Sequence, residues 1–261
     1  MLEFGCKDTN NFTMSENMCN FAPQNGYHNM NQRHRNKRRD AWRYLLALPR
    51  SLWYNLKLFP AKQAWKMPLL LSHRTTVVSL DGKVVLNTEK LRIGMIKVGF
   101  ATYQGTNFRH DRTRINLQGE LHAEGDCTLG AGSSLEVGPE AKLTLGDGFH
   151  LGPKSLMICH HAMHFGHRNR ISWNCTLMDT DQHALVDLQG NRTNPDRPIA
   201  TGDNVWIGCE SIITKGVQLA DNTTVAAGAR LAGRYEEPCT VLAGNPATVV
   251  RRGVMRQYPS N

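Results

Sequence analysis

The chain has 261 residues, 40% of them hydrophobic and 20% charged, with a formal net charge of +9. This balance is ordinary for a globular domain with an appendage and unlike that of a fibrous chain. No apolar run approaches the roughly 18–20 residues of a membrane-crossing helix, and residues 1–31 are polar and Asn-rich, without the apolar stretch of a signal peptide.

Seven cysteines lie far apart, with no Cys-x-x-Cys pair and an odd total. That pattern is expected of reduced thiols in a cytoplasmic protein, not of a disulfide framework. The charge is uneven: residues 1–74 hold 12 Lys+Arg against 4 Asp+Glu, and residues 75–261 hold 19 against 18. A nearly neutral body argues against nucleic-acid binding by the main domain.

In chain order, residues 1–39 are polar, end in a basic run at 34–39 and show no hydrophobic period, so they are expected to form a disordered tail. Residues 40–74 change character. Trp42, Leu45, Leu46, Leu52, Trp53, Leu56 and Phe59 recur at three- and four-residue steps, which predicts an amphipathic helix broken or kinked at Pro49. Two roles are open for it: a cap over the end of the main domain, or a basic amphipathic segment making peripheral contact with an anionic membrane.

From Thr75 the helical period disappears and a six-residue repeat takes over. Ile207, Ile213, Leu219, Val225 and Leu231 hold one phase after Thr201, and Leu117, Ala123, Leu129, Leu145, Leu151, Met157, Phe165, Ile171 and Leu177 show the same spacing with shifts. Six matches neither the 3.6 of a helix nor the 2 of a strand. It matches a parallel β-helix with three faces to a coil, one inward aliphatic residue per face and a small residue at each corner. The expected fold is mainly β: a left-handed parallel β-helix over residues 75–252, a helical segment before it and a short tail at 253–261.

The segment 198–209, the pair Gly216 and Val217, and Ala243 to Arg251 with its Ala-Gly-Asn-Pro-Ala run resemble the hexapeptide-repeat acyltransferases of the galactoside/maltose O-acetyltransferase type, and within them the sugar acetyltransferases of polysaccharide clusters. The resemblance implies a homotrimer with active sites between subunits and acetyl-CoA as acyl donor along the C-terminal coils. It implies acetyl transfer to a hydroxyl, most readily that of a sugar, without a metal.

Transfer from a thioester to a hydroxyl needs a base for the attacking proton and donors for the developing oxyanion. His183, where a coil gives way to a polar loop, stands at the position of the family's catalytic base, and imidazole titrates near neutrality. Asp179 and Asp181 are candidates to orient it. For the donor, the resemblance assigns Trp206 to the wall of the pantetheine channel and Cys209 to a backbone contact. It assigns Ala227 and Gly228 to a corner that pantetheine approaches closely, and Arg251 to a CoA phosphate, with Arg252 and Lys215 as auxiliaries. Two departures stand out: residues 229–234 lack the family's usual Lys-containing run, and Thr248 occupies a position often held by Lys or Arg.

Four histidines, His160, His161, His164 and His167, fall within eight residues. They allow a zinc site like that of the γ-type carbonic anhydrases, an acceptor-lining role for His160, or a structural role. A non-catalytic hexapeptide scaffold is a further alternative.

Overall fold

The structure, a computed structural model, describes residues 29–103, 105–107 and 110–257. Two compact units are distinguished, Met1–Trp42 and Arg43–Asn261. A long helix, Asn29–Leu58, starts inside the segment expected to be disordered; residues 1–28 of that expected tail lie outside the described residues. The helix also continues through Pro49, where a break or a kink was expected, without breaking. Pro49 and Leu45, whose carbonyl loses its partner to the proline, are both exposed, so water can satisfy that carbonyl.

The body is a parallel β-helix of three faces, as the six-residue repeat implied. Each strand pairs with the third strand after it, which gives one nine-stranded and two seven-stranded sheets. On the nine-stranded face a single inward column runs Leu71, Val98, Leu129, Leu151, Ile171, Ile207, Val225 and Leu242. All eight are buried, and every lead position of the six-residue phase joins the same core. Stacking identical faces pairs each coil's backbone with the next and buries the aliphatic column without long-range alternation. The sheet begins earlier than the repeat suggested, since Leu69–Leu71 already pairs with the strand Ile96–Ala101. It closes with a reversal, as Ala247–Arg252 folds back antiparallel on Thr240–Gly244.

The open edge at Leu69–Leu71 is capped by the helix through polar side chains. Ala47, Ser51 and Asn55, four residues apart, are buried. The Leu71 amide donates to Ser51 Oγ at 2.9 Å and the Leu69 amide to Asn55 Oδ1 at 3.1 Å, while Asn55 Nδ2 donates to the Leu69 carbonyl at 2.7 Å. These bonds satisfy an edge strand that would otherwise offer its backbone to another chain.

Corners follow two rules. Gly228 has a φ of +72° and open space where a Cβ would stand. Gly208 has no such φ, but a Cβ on it would lie 2.6 Å from the Ala227 amide nitrogen, so the tight spacing of successive coils requires the glycine. Not every left-handed corner carries a small residue, because Lys154, Arg168 and Glu210 also take positive φ.

Candidate functional site

Strand Thr176–Met178 ends at a corner, and the chain does not re-enter the helix until strand Ile199–Thr201. Between them a loop projects outward, pinned by the Val186–Arg192 bridge, by the Thr193 amide on the Leu185 carbonyl at 2.8 Å and by Asp187 accepting from residues 189 and 191. The loop carries His183, which is exposed, and the apolar side chains Leu185, Val186 and Leu188 point to solvent.

The two aspartates near the loop root do different work. Asp179 is fully buried, and its oxygens accept the backbone amides of His160 and His161 at 2.8 and 3.0 Å. Each of its two oxygens thus accepts a backbone amide of the neighbouring coil. Asp181 accepts from Asn194 Nδ2 at 2.7 Å and from the Lys215 ammonium. The same Asn194 amide reaches the His183 carbonyl at 2.9 Å, and Lys215 Nζ also donates to the Asn194 carbonyl at 2.9 Å. The Lys215 and Asn194 hydrogen bonds hold the Asp181 carboxyl below the usual carboxylate range. Asp181 is therefore linked to the His183 carbonyl through the shared Asn194 amide. Asn194 belongs to no motif, and the Asn-Pro step opening the return limb is its sequence signal.

The donor candidates gather at a different corner, the one entering the face that the His183 strand leaves. Cys209 accepts the Gly228 amide on its carbonyl at 2.8 Å, and its thiol is half-buried. Ala227 and Gly228 are exposed, with free space over Gly228. Trp206, 40% exposed, donates from Nε1 to Ser172 Oγ at 3.2 Å. One coil earlier, Trp173 stacks on Tyr103 with centroids 5.1 Å apart, an aromatic ledge absent from the sequence reading because Tyr103 is distant in sequence.

The basic candidates separate clearly. Arg252 grips Glu237 through Nε at 2.9 and 3.0 Å, and Lys215 serves the His183 loop. Arg251 is exposed with no described partner. Arg230 and Arg234 are exposed, on consecutive strands that belong to different sheets.

Within one chain His183 and the Cys209/Gly228 corner stand at opposite edges of one face, separated by a three-residue strand of roughly 10 Å. The histidine cluster diverges. His160 Nε2 meets Glu136 at 2.8 Å, whereas His167 Nδ1 accepts the Asp147 amide at 3.0 Å. No three His, Cys, Asp or Glu side chains converge on one point among the described residues.

No family model matches the chain. An uncharacterized 24.8 kDa protein in the cps region of Klebsiella pneumoniae is 27% identical over 187 residues, 67% of this chain and 82% of that protein. The galactoside O-acetyltransferase of Escherichia coli K12 is 29% identical over 151 residues, 55% of this chain and 73% of the relative. Among solved structures, the polySia-specific acetyltransferase NeuO covers 73% of this chain and 79% of its own at 17% identity, with a TM-score of 0.44. Its six-residue repeat and three-faced coil make the chain a parallel β-helix protein, and its sequence is similar to that of the galactoside O-acetyltransferase.

Proposed function

We propose that the protein is an acetyl-CoA-dependent O-acetyltransferase acting on a sugar hydroxyl, as a homotrimer in the cytoplasm. The observation that carries this reading is the braced loop. A projecting histidine loop costs order, and here Asp181, Asn194 and Lys215 fix its root while leaving the imidazole accessible. A solvated loop has no need of such bracing.

In this mechanism the His183 imidazole removes the proton from the acceptor hydroxyl, whose oxygen attacks the thioester carbon. The tetrahedral intermediate collapses with cleavage of the carbon–sulfur bond, and the imidazolium returns the proton to the departing thiolate. The pantetheine arm lies along the Trp206, Cys209, Ala227 and Gly228 corner, where the absence of a side chain on Gly228 lets it approach the backbone. Arg251 meets a phosphate of CoA through its forked donors. His183 and this corner are a face apart in one chain, which favours a threefold assembly in which the loop of one protomer reaches the corner of the next.

The test is thiol release from acetyl-CoA against a panel of sugars, nucleotide sugars and amines. Wild-type turnover with a sugar hydroxyl and a loss of about 10²–10⁴-fold in His183→Ala, with the trimer intact, is the expected outcome. Retention of more than about a tenth of the rate in that variant removes His183 as the base.

A further inference from the structure

The helical residues 43–58 are built inside out. Facing the β-helix are Ala47, Ser51 and Asn55, small or polar. Facing solvent are Leu45, Leu46, Trp53 and Leu56, each about half exposed or more, with Trp53 at 67%, and Trp65 at 72% follows just beyond. At 100° per residue Leu46 and Trp53 lie within about 20° of each other, and Leu45 and Leu56 lie together on one side of them, so all four fall within about 100°. An amphipathic helix that turns its largest apolar side chains away from its own domain presents them to something outside the chain.

The charge beside this stripe identifies the partner. Between Arg43 and Leu80 there are six Lys or Arg and no Asp or Glu. Lys62 and Lys66 flank Trp65 and are exposed. Arg50, on the same helix, helps line a cavity of about 440 Å³ with His73, Arg74, Thr76 and Arg112, and no acidic residue lines it. Burial, with smaller contributions from the charges of Arg74 and Arg43, holds the His73 imidazole below its usual range. Exposed Trp and Leu next to basic residues match the boundary between headgroups and acyl chains of an anionic bilayer.

We infer that this surface docks the protein on an anionic phospholipid membrane. Leu45, Leu46, Trp53, Leu56 and Trp65 enter the interface, Lys62 and Lys66 face the headgroup layer, and the Arg50/Arg112 cavity takes a lipid phosphate. The proposal is independent of the acetyl-transfer reading, because none of these residues belongs to the candidate active site.

The experiment is co-sedimentation of the full chain with vesicles of phosphatidylcholine alone or of phosphatidylcholine with phosphatidylglycerol. Pelleting is expected only with phosphatidylglycerol and should decline with added salt. The triple variant Leu46→Ser, Trp53→Ser, Leu56→Ser alters exposed positions only, and circular dichroism verifies its fold. It should bind at least tenfold more weakly, as should a second variant, Lys62→Glu, Lys66→Glu, Arg112→Glu. Undiminished pelleting of the triple variant, or equal pelleting with neutral vesicles, overturns the proposal. So does stabilisation by inorganic phosphate without vesicle binding, which marks the cavity as a free-phosphate site. Self-association that the triple variant abolishes, again without vesicle binding, assigns the stripe to a second copy and overturns it as well.

Discussion

The Lys215 ammonium, its side chain only 11% exposed, closes on the Asp181 carboxylate from the next coil of the β-helix. It thereby ties the root of the His183 loop to the body of the protein. Lys215→Met keeps the length of the side chain and removes the charge. The expected result is a fall in kcat of about 10–100-fold, with KM for acetyl-CoA nearly unchanged and partial rescue by Lys215→Arg, because a misplaced base loses rate before it loses donor binding. A rise in KM with kcat preserved would instead give Lys215 a direct contact with CoA.

Asp179 is a structural group on the evidence of its partners. Asp179→Ala leaves the His160 and His161 amides without an acceptor in a buried corner, at roughly 1–3 kcal/mol each. Urea unfolding should show a loss of about 2–5 kcal/mol, and Asp179→Asn, which keeps one acceptor oxygen, a smaller one. Unchanged stability with lost activity would restore Asp179 as a partner of His183.

His150 sets a pH dependence of stability. Burial, reinforced by the nearby Arg170 charge, pushes its imidazole down to about 4 from an ordinary 6.5. Between those values the unfolded chain binds a proton that the folded chain refuses, so acid favours unfolding. Stability should be undiminished above pH 6.5 and fall progressively as pH drops toward 4, by on the order of 3 kcal/mol. The unfolding midpoint of His150→Gln should be flatter across that window; an unaltered slope would sink the assignment.

Arg251 and Arg252 are neighbours in sequence with different prospects as phosphate ligands. Arg252 is already held by Glu237, whereas Arg251 has no described partner. Arg251→Ala should raise KM for acetyl-CoA about 10–100-fold, the worth of a charge-assisted bond. Arg252→Ala should change it by no more than about twofold. The reverse ranking would transfer the phosphate contact to Arg252.

Much of the fold was legible because a solenoid is a local object. A coil buries its face only against its neighbours, so one aliphatic residue every six positions writes the core directly into the sequence, and each of Ile207, Ile213, Leu219, Val225 and Leu231 is an inward residue in the structure. The candidate base and the donor corner came from the family resemblance instead; their positions fall where the repeat is interrupted or turns a corner.

Contacts between positions distant in sequence were decided only in three dimensions. Asp179 and Asp181 look alike two residues apart, yet the chain buries one against the His160 and His161 amides and leaves the other on the loop with Lys215. The apolar period of residues 42–59 predicted a helix and left open whether its apolar face would pack on the main domain or meet a membrane. The β-helix edge instead needed hydrogen bonds for Leu69 and Leu71, so Ser51 and Asn55 turned inward and Trp53 and Leu56 outward. Periodicity determines that a stripe exists; which side of a helix faces the protein depends on what the opposing edge lacks.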